Sequence, residues 1–133
     1  MGTSWLDDPQ PAVLATYDPD GSVRMTPVWY RRRDAAFEVV VAEGDPKLRN
    51  LRRDPRCTLL VFEASPPFRG LEVKGDAELV EVDVGEARAE IAGRYLGAEL
   101  GERFAAERTK PGVIVRLAAT PREWDLAAIL PQA

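Results

Sequence analysis

Residues 11–30 read PAVLATYDPDGSVRMTPVWY. Val13 to Tyr17 leads into Asp18-Pro19-Asp20-Gly21, and Val23 to Tyr30 leads out again. Proline presets one φ and glycine accepts a positive one, so this four-residue run favours a tight turn. Two strands joined by that turn are therefore expected. Side chains alternate along a strand. Val23, Met25, Pro27 and Trp29 fall on one face of the second strand, and Arg24, Thr26, Val28 and Tyr30 on the other. Pro27 lacks an N–H, which predicts an edge strand or an interrupted ladder.

The same pattern continues downstream. RRRD (31–34) reads as a turn into a third strand, AAFEVVVAE (35–43), whose apolar run predicts burial. CTLLVFEA (57–64) is a fourth strand, broken by SPPF (65–68). RGLEVKGDAELVEV (69–82) alternates apolar and polar residues, and Gly75 within it suggests a bulge or a corner. Residues 84–107 are rich in Ala, Glu and Arg and are expected to be helical, divided at Gly93 and Gly97. GVIVRLAA (112–119) is the last long strand, and TPREWDL (120–126) offers one more short one. The expected fold is mainly β with α (an α+β class): a small β-barrel of about six strands. One short helix follows the third strand, and a longer helical excursion precedes the last. Residues 1–133 read as a single domain.

That short helix lies in GDPKLRNLRRDPR (44–56). Asp45 is a good N-cap, and Pro46 suits the first helical position. Leu48 and Leu51 give the helix one apolar edge to rest on the sheet. Lys47 and Arg49 then fall in the first turns, where free backbone N–H groups already present partial positive charge. A cation is unrewarded there unless an anion sits nearby, so the helix start reads as an anion seat. Lys47 supplies a compact charge for a phosphate, and Asn50 a further hydrogen bond. The plain alternative is a solvated basic helix whose arginines pair with Asp54, Glu43 and other surface acids. The carboxylate of Asp45 would repel an anion unless the backbone engages it.

Composition removes several function classes. Forty-five per cent apolar and 30% charged residues are enough for a core without disulfides, and a lone cysteine, Cys57, suits a reducing cytoplasm. Cys57 opens an apolar strand and reads as inert core. The chain has no histidine, which excludes a Ser-His-Asp triad, most zinc sites and the usual haem ligand; no metal site is expected. A net charge of -4 argues against broad nucleic-acid binding, although Arg31–Arg33 with Arg52, Arg53 and Arg56 form local basic runs. No run is long and apolar enough for a membrane span, and the first eleven residues have neither the basic nor the apolar region of a secretory leader.

MTPVWY (25–30) is the second candidate site. Thr26 and Pro27 interrupt backbone pairing and leave groups free to recognise the edge of a flat heterocycle, on which Trp29 would stack. The plain alternative places Trp29 in the barrel core. No G-x-G-x-x-G follows a strand, and GAELGERF (97–104) lacks the Lys-Ser/Thr of a phosphate loop.

LATYDPDGSVRMTPVWY (14–30), VVVAEGDPKLRNLRRDPRCTLLV (39–61) and GLEVKGDAELVE (70–81) together resemble, in order and spacing, the pyridoxamine-phosphate-oxidase-like proteins. Within them they resemble the branch of flavin/deazaflavin oxidoreductases that use coenzyme F420. The likeness runs from about residue 11 to 82 and resumes with GVIVRLAATPREWDL (112–126). K-x-R-N-L-R-R-D-P-R (47–56) is its most specific part. The resemblance implies an FMN-binding split β-barrel and a cytoplasmic homodimer with cofactor sites at the subunit interface. It implies hydride transfer between reduced F420 and a small organic acceptor. It places the cofactor phosphate on Lys47, in the motif shared with Arg49 and Asn50, and the ring beside Thr26, Pro27, Val28 and Trp29. Where some relatives carry a basic residue two positions before the lysine, this chain has Asp45. The phosphate is then held differently, or another cofactor is preferred. FMN in the same seat, and a non-catalytic barrel that sequesters a cofactor, are the alternatives. Water or Tyr30 would supply the proton.

Overall fold

A computed structural model describes residues 4–131 of the chain, so part of the start on which the leader reading rests lies outside the described residues. After a 3-10 turn at Ser4–Asp7, the chain enters β1 (Ala12–Tyr17) and β2 (Val23–Val28). These pair antiparallel, from Ala12 opposite Val28 to Tyr17 opposite Val23. The turn closes as expected: Gly21, at φ 86°, donates its N–H to the Asp18 carbonyl at 2.9 Å. β2 is the edge of a five-stranded sheet, which leaves the missing N–H of Pro27 without consequence.

Three arginines overturn the next expectation. Arg31–Arg33 is not a turn but a short strand, β3, paired with β4 (Ala36–Ala42); the reversal falls at Asp34 and Ala35, both at positive φ. Charged residues tolerate a strand here because their partners converge on them. Arg31 is buried, and its Nε donates to Glu38 Oε1 at 2.8 Å. Arg31 and Arg33 both donate to Glu90, and Arg32 lies over the Phe37 ring. The apolar run of β4 is buried as expected, with Glu38 inside it bridging Arg31 and Arg116.

Helix α1 (Pro46–Arg53) begins at the Asp45 cap, and Pro55 follows its end. Leu48 and Leu51 on its inner side are almost wholly buried against β1 and β4. β5 (Arg56–Phe62) and β6 (Gly70–Asp76) extend the first sheet, and β7 (Glu78–Val80) joins the second. The single strand expected over residues 69–82 is thus two, handed from one sheet to the other at Ala77. Gly75 itself pairs in regular register with Cys57, so the corner lies two residues past it.

Helices α2 (Gly85–Leu96) and α3 (Ala98–Glu107) meet at Gly97, whose φ of 92° breaks the run. Gly93 lies inside α2 and divides nothing. A Cβ on Gly101 would come within 2.5 Å of Gly93 Cα, so the two glycines let the helices touch backbone to backbone. β8 (Gly112–Leu117) and β9 (Arg122–Trp124) complete two antiparallel sheets, ordered β2-β1-β5-β6-β9 and β3-β4-β8-β7. The main core lies between them, with Tyr30, Leu14, Leu59, Val41 and Val113 fully enclosed. A smaller cluster of Val84, Ala87 and Ile114 seats α2 on the outer face of the second sheet. The expected mainly β class with helices is what forms, with nine strands among the described residues rather than six. Among those residues no helix is long and apolar enough to cross a membrane.

Candidate functional site

The cap that starts α1 also fixes Lys47. Asp45 Oδ1 accepts the Lys47 backbone N–H at 2.9 Å, and Oδ2 accepts from Lys47 Nζ at 2.8 Å. Burial pushes the Asp45 carboxyl up, but these two bonds and the adjacent ammonium outweigh it and hold the group below its ordinary value. Asp45 is therefore ionised and engaged with the backbone, and it also pairs with the Lys47 ammonium, so the cation of the expected anion seat already has a counter-charge. Lys47 keeps 15% of its side-chain surface and borders a cavity of about 620 Å³.

That cavity has an apolar floor and a charged rim. Val39, Val40, Val41 and Ala42 of β4 form one side, Pro27 and Val28 of β2 with Trp29 a second, and Ile91, Ala92 and Phe104 of the helical pair a third. Asp45, Lys47, Arg88, Glu107, Arg108 and Lys110 line its polar part. Trp29 is not core. Its side is 36% exposed, and its ring stacks on Tyr95 at 5.1 Å and 13°, with Phe104 at 5.3 Å. On the far side of Trp29 lies a second cavity of about 600 Å³, which shares Pro27, Val28, Trp29 and Phe104 with the first. Its remaining lining carries no charged side chain.

Of the seven residues singled out in the sequence, four border the main cavity: Pro27, Val28, Trp29 and Lys47. Three stand outside it. Asn50 is buried, and its amide nitrogen donates to Thr16 Oγ1 at 3.1 Å and Asp18 Oδ1 at 2.9 Å, while its oxygen accepts from Arg53. No donor is left for a ligand; Asn50 ties α1 to the β1–β2 hairpin. Arg49 points out to solvent and donates to the Gly44 carbonyl at 3.1 Å. Thr26 does not border the cavity, and its Oγ1 is buried without a hydrogen-bond partner among the described residues. Tyr30, weighed as a proton source, is fully enclosed; its hydroxyl donates to the Leu6 carbonyl, and burial pushes the phenol up. It has no access to the cavity.

The other arginines of 44–56 follow the plain reading. Arg52 forks onto Glu43 and also meets Glu81, Arg56 binds Asp54 and covers the Tyr17 ring, and Arg53 donates to the Tyr17 carbonyl. Cys57 is buried, and burial raises its thiol to about 11, which makes it inert. Sequence reasoning missed Arg88, Phe104, Arg108 and Lys110. The signals were an aromatic residue in an otherwise Ala/Glu/Arg-rich helix and the basic run just before Pro111.

Residues 3–126 match the family described as pyridoxamine 5'-phosphate oxidase. The chain belongs to that family. Among solved structures, a conserved hypothetical protein from Mycobacterium tuberculosis is 27% identical at a TM-score of 0.82, over 100% of this chain and 91% of that one. A protein named F420 reductase is 26% identical at a TM-score of 0.71, over 88% of this chain and 91% of its own. The heme storage protein of Vibrio cholerae, at 17% identity and a TM-score of 0.67 over 92% and 89% of the two chains, shares the fold alone. The fold is thus shared with a protein named for heme storage as well as with one named a reductase.

Proposed function

We propose that the protein is an oxidoreductase that binds a flavin-type cofactor, coenzyme F420 foremost, and passes a hydride between it and a small organic acceptor. One observation carries this reading: Lys47 at the N-terminus of α1 and the Pro27–Trp29 wall border the same cavity. The residues fit such a group. A volume of about 620 Å³ is in the range of cofactor pockets, and an apolar slot with a cation at one end suits a planar ring bearing a phosphate. The structure named F420 reductase, at 26% identity over most of both chains, supports the same reading.

In this proposal the Lys47 ammonium holds the phosphate, since Pro46 has no N–H and the Lys47, Leu48 and Arg49 N–H groups are already donated to Asp45. Thr26, next to Pro27 on β2 with its hydroxyl buried outside the cavity, acts on the ring only through the strand that carries the wall. Arg49 and Asn50 act on the seat from outside it, by fixing the Gly44 loop and the seating of α1. Val39, Val41 and Ile91 exclude water from the ring, and Trp29 walls it. When bound, the reduced deazaflavin supplies the hydride. The protein's part is orientation and electrostatics. A hydride passes only between groups in contact, so the acceptor meets the ring where the uncharged cavity joins the main one, at the shared Pro27, Val28 and Phe104. The phenol of Tyr95 in the uncharged cavity is pushed up to about 12 by burial and donates to the Gln10 carbonyl, so it stays neutral and water is the proton source. A cytoplasmic homodimer belongs to the same proposal; Val23 and Met25, exposed on edge strand β2, are the apolar surface it would bury.

Calorimetric titration of F420 and FMN tests the reading. Micromolar binding of F420 that exceeds FMN supports it. FMN preferred over F420 moves the assignment to the flavin enzyme of the same fold. Binding of neither removes it.

A further inference from the structure

Among the described residues, an arginine withdrawn from water either meets a carboxylate or, as Arg94 does on the Tyr30, Leu6, Asp7 and Asp8 carbonyls, spends its donors on several backbone oxygens. Arg31 has Glu38 and Glu90, Arg69 has Glu63, and Arg116 has Glu38. Arg88 does neither. It projects from α2 and is only 9% exposed. One guanidinium nitrogen donates to the Arg108 carbonyl at 3.0 Å, and among the described residues no carboxylate comes within ion-pair distance of it. Two more cations gather there. Arg108 lies against the face of Phe104 at 3.8 Å, and Lys110 approaches Gly44, where a Cβ would stand 3.3 Å from its Nζ. Neither has an ion pair among the described residues.

Arg88, Arg108, Thr109 and Lys110 line both the main cavity and a neighbouring one of about 410 Å³ under the start of α2. The acids of this region are placed elsewhere or already used. Asp83 accepts the Gly85 N–H, Asp45 holds Lys47, Glu43 feels the charge of Lys110 but is forked onto Arg52, and Glu107 borders the main cavity without reaching a cation of this group. A buried cation lacking a counter-ion is unfavourable, and retention of one facing open space signals that an anion completes it.

We propose that Arg88, Arg108 and Lys110 form a second oxyanion seat, separate from Lys47, which takes a phosphoryl or carboxylate group. The guanidinium fork of Arg88 supplies paired donors to the oxyanion, Lys110 a mobile charge, and Thr109 a hydroxyl. The group is either free in solution or a part of whatever ligand fills the main cavity. The seat does not depend on the cofactor proposed above, because inorganic phosphate alone probes it.

Thermal unfolding and calorimetry of the full chain, with sodium phosphate against sodium chloride at equal ionic strength, test the seat. Phosphate is expected to raise the melting temperature of the wild type. Arg88→Met, which keeps a long apolar stem, is expected to melt at or above the wild type without phosphate and to bind phosphate at least tenfold more weakly. Lys47→Ala is expected to keep the larger part of the phosphate shift. No shift in the wild type, or an equal shift in Arg88→Met, overturns the proposal. If Arg88→Met does not fold, Arg88→Lys serves: a point charge in place of the fork weakens phosphate several-fold, and unchanged affinity overturns the seat. FMN then separates the sources. Weaker FMN binding in the Arg88 variant assigns the seat to a part of the cavity ligand; unchanged FMN binding with lost phosphate binding assigns it to a free anion. Failure of FMN and F420 to bind at all leaves the phosphate result standing and refutes only the cofactor reading.

Discussion

Lys47 and Asn50 stand three residues apart on one short helix and end in different surroundings. Lys47 borders open space beside Asp45, whereas every hydrogen-bonding atom of the Asn50 amide is engaged inside the protein. The two substitutions should therefore separate. Lys47→Ala removes a charge-assisted contact worth about 1.5–3 kcal/mol, so cofactor affinity measured by calorimetry should fall about ten- to a hundredfold. Asn50→Ala leaves the Thr16 hydroxyl and the Asp18 carboxylate short of a donor. It should lower stability by about 1–3 kcal/mol in urea unfolding, while cofactor affinity moves less than in Lys47→Ala. The place of Lys47 in the first turn was legible in the sequence because Asp45-Pro46 fixes where the helix starts. The aim of Asn50 was not, because Thr16 and Asp18 are brought to it by a hairpin more than thirty positions earlier. Arg88 and Lys110 were hidden for the same reason: the helix and the loop that carry them meet only in the folded chain.

Elements whose signals are local were read where they form. The Asp18–Gly21 turn, the α1 boundaries and the alternation of β1 and β5 depend on neighbours in sequence. β3 was misread because three adjacent arginines look like a loop until Glu38 and Glu90 are placed against them. The division of β6 from β7 at Ala77 likewise depends on which sheet offers the next partner. The helical pair makes the sharpest test at this scale. Gly101 has no room for a side chain, since its Cβ would meet Gly93 Cα and N at 2.5 Å, but a Cβ on Gly93 meets only Ala98 Cα at 3.7 Å. Gly101→Ala should lower stability by about 1–3 kcal/mol through forced separation of α2 and α3. Gly93→Ala should be neutral or gain up to about 1 kcal/mol from helix propensity. Urea unfolding of the pair checks both, and equal effects would contradict the contact.

Across the whole molecule the carboxylates set the response to acid. Burial pushes Glu38 up, but hydrogen bonds from Arg31 and Arg116 outweigh it and hold it below its ordinary range, and Asp45 is depressed in the same sense. A depressed acid lends stability above its unfolded value, and that stability is lost as pH falls through its folded value. The melting temperature should thus hold from neutrality to about pH 5 and then fall progressively as the pH drops below about 4. Glu38→Gln, which removes one of the two counter-charges of Arg31 and the nearest one of Arg116, should cost about 1–3 kcal/mol at neutral pH. The two-sheet architecture was only partly readable, because closure is a long-range event; its local strands were, and the matched family supplies the rest. Trp29 gives the molecule one further property. Trp5 is enclosed, and Trp124 covers Gly70 on the other side of the protein, so neither faces the two cavities that Trp29 divides. A planar occupant on either side should quench the emission of this one indole while the other two stay bright. The wall of the site thereby doubles as a native optical reporter of whether either chamber is filled.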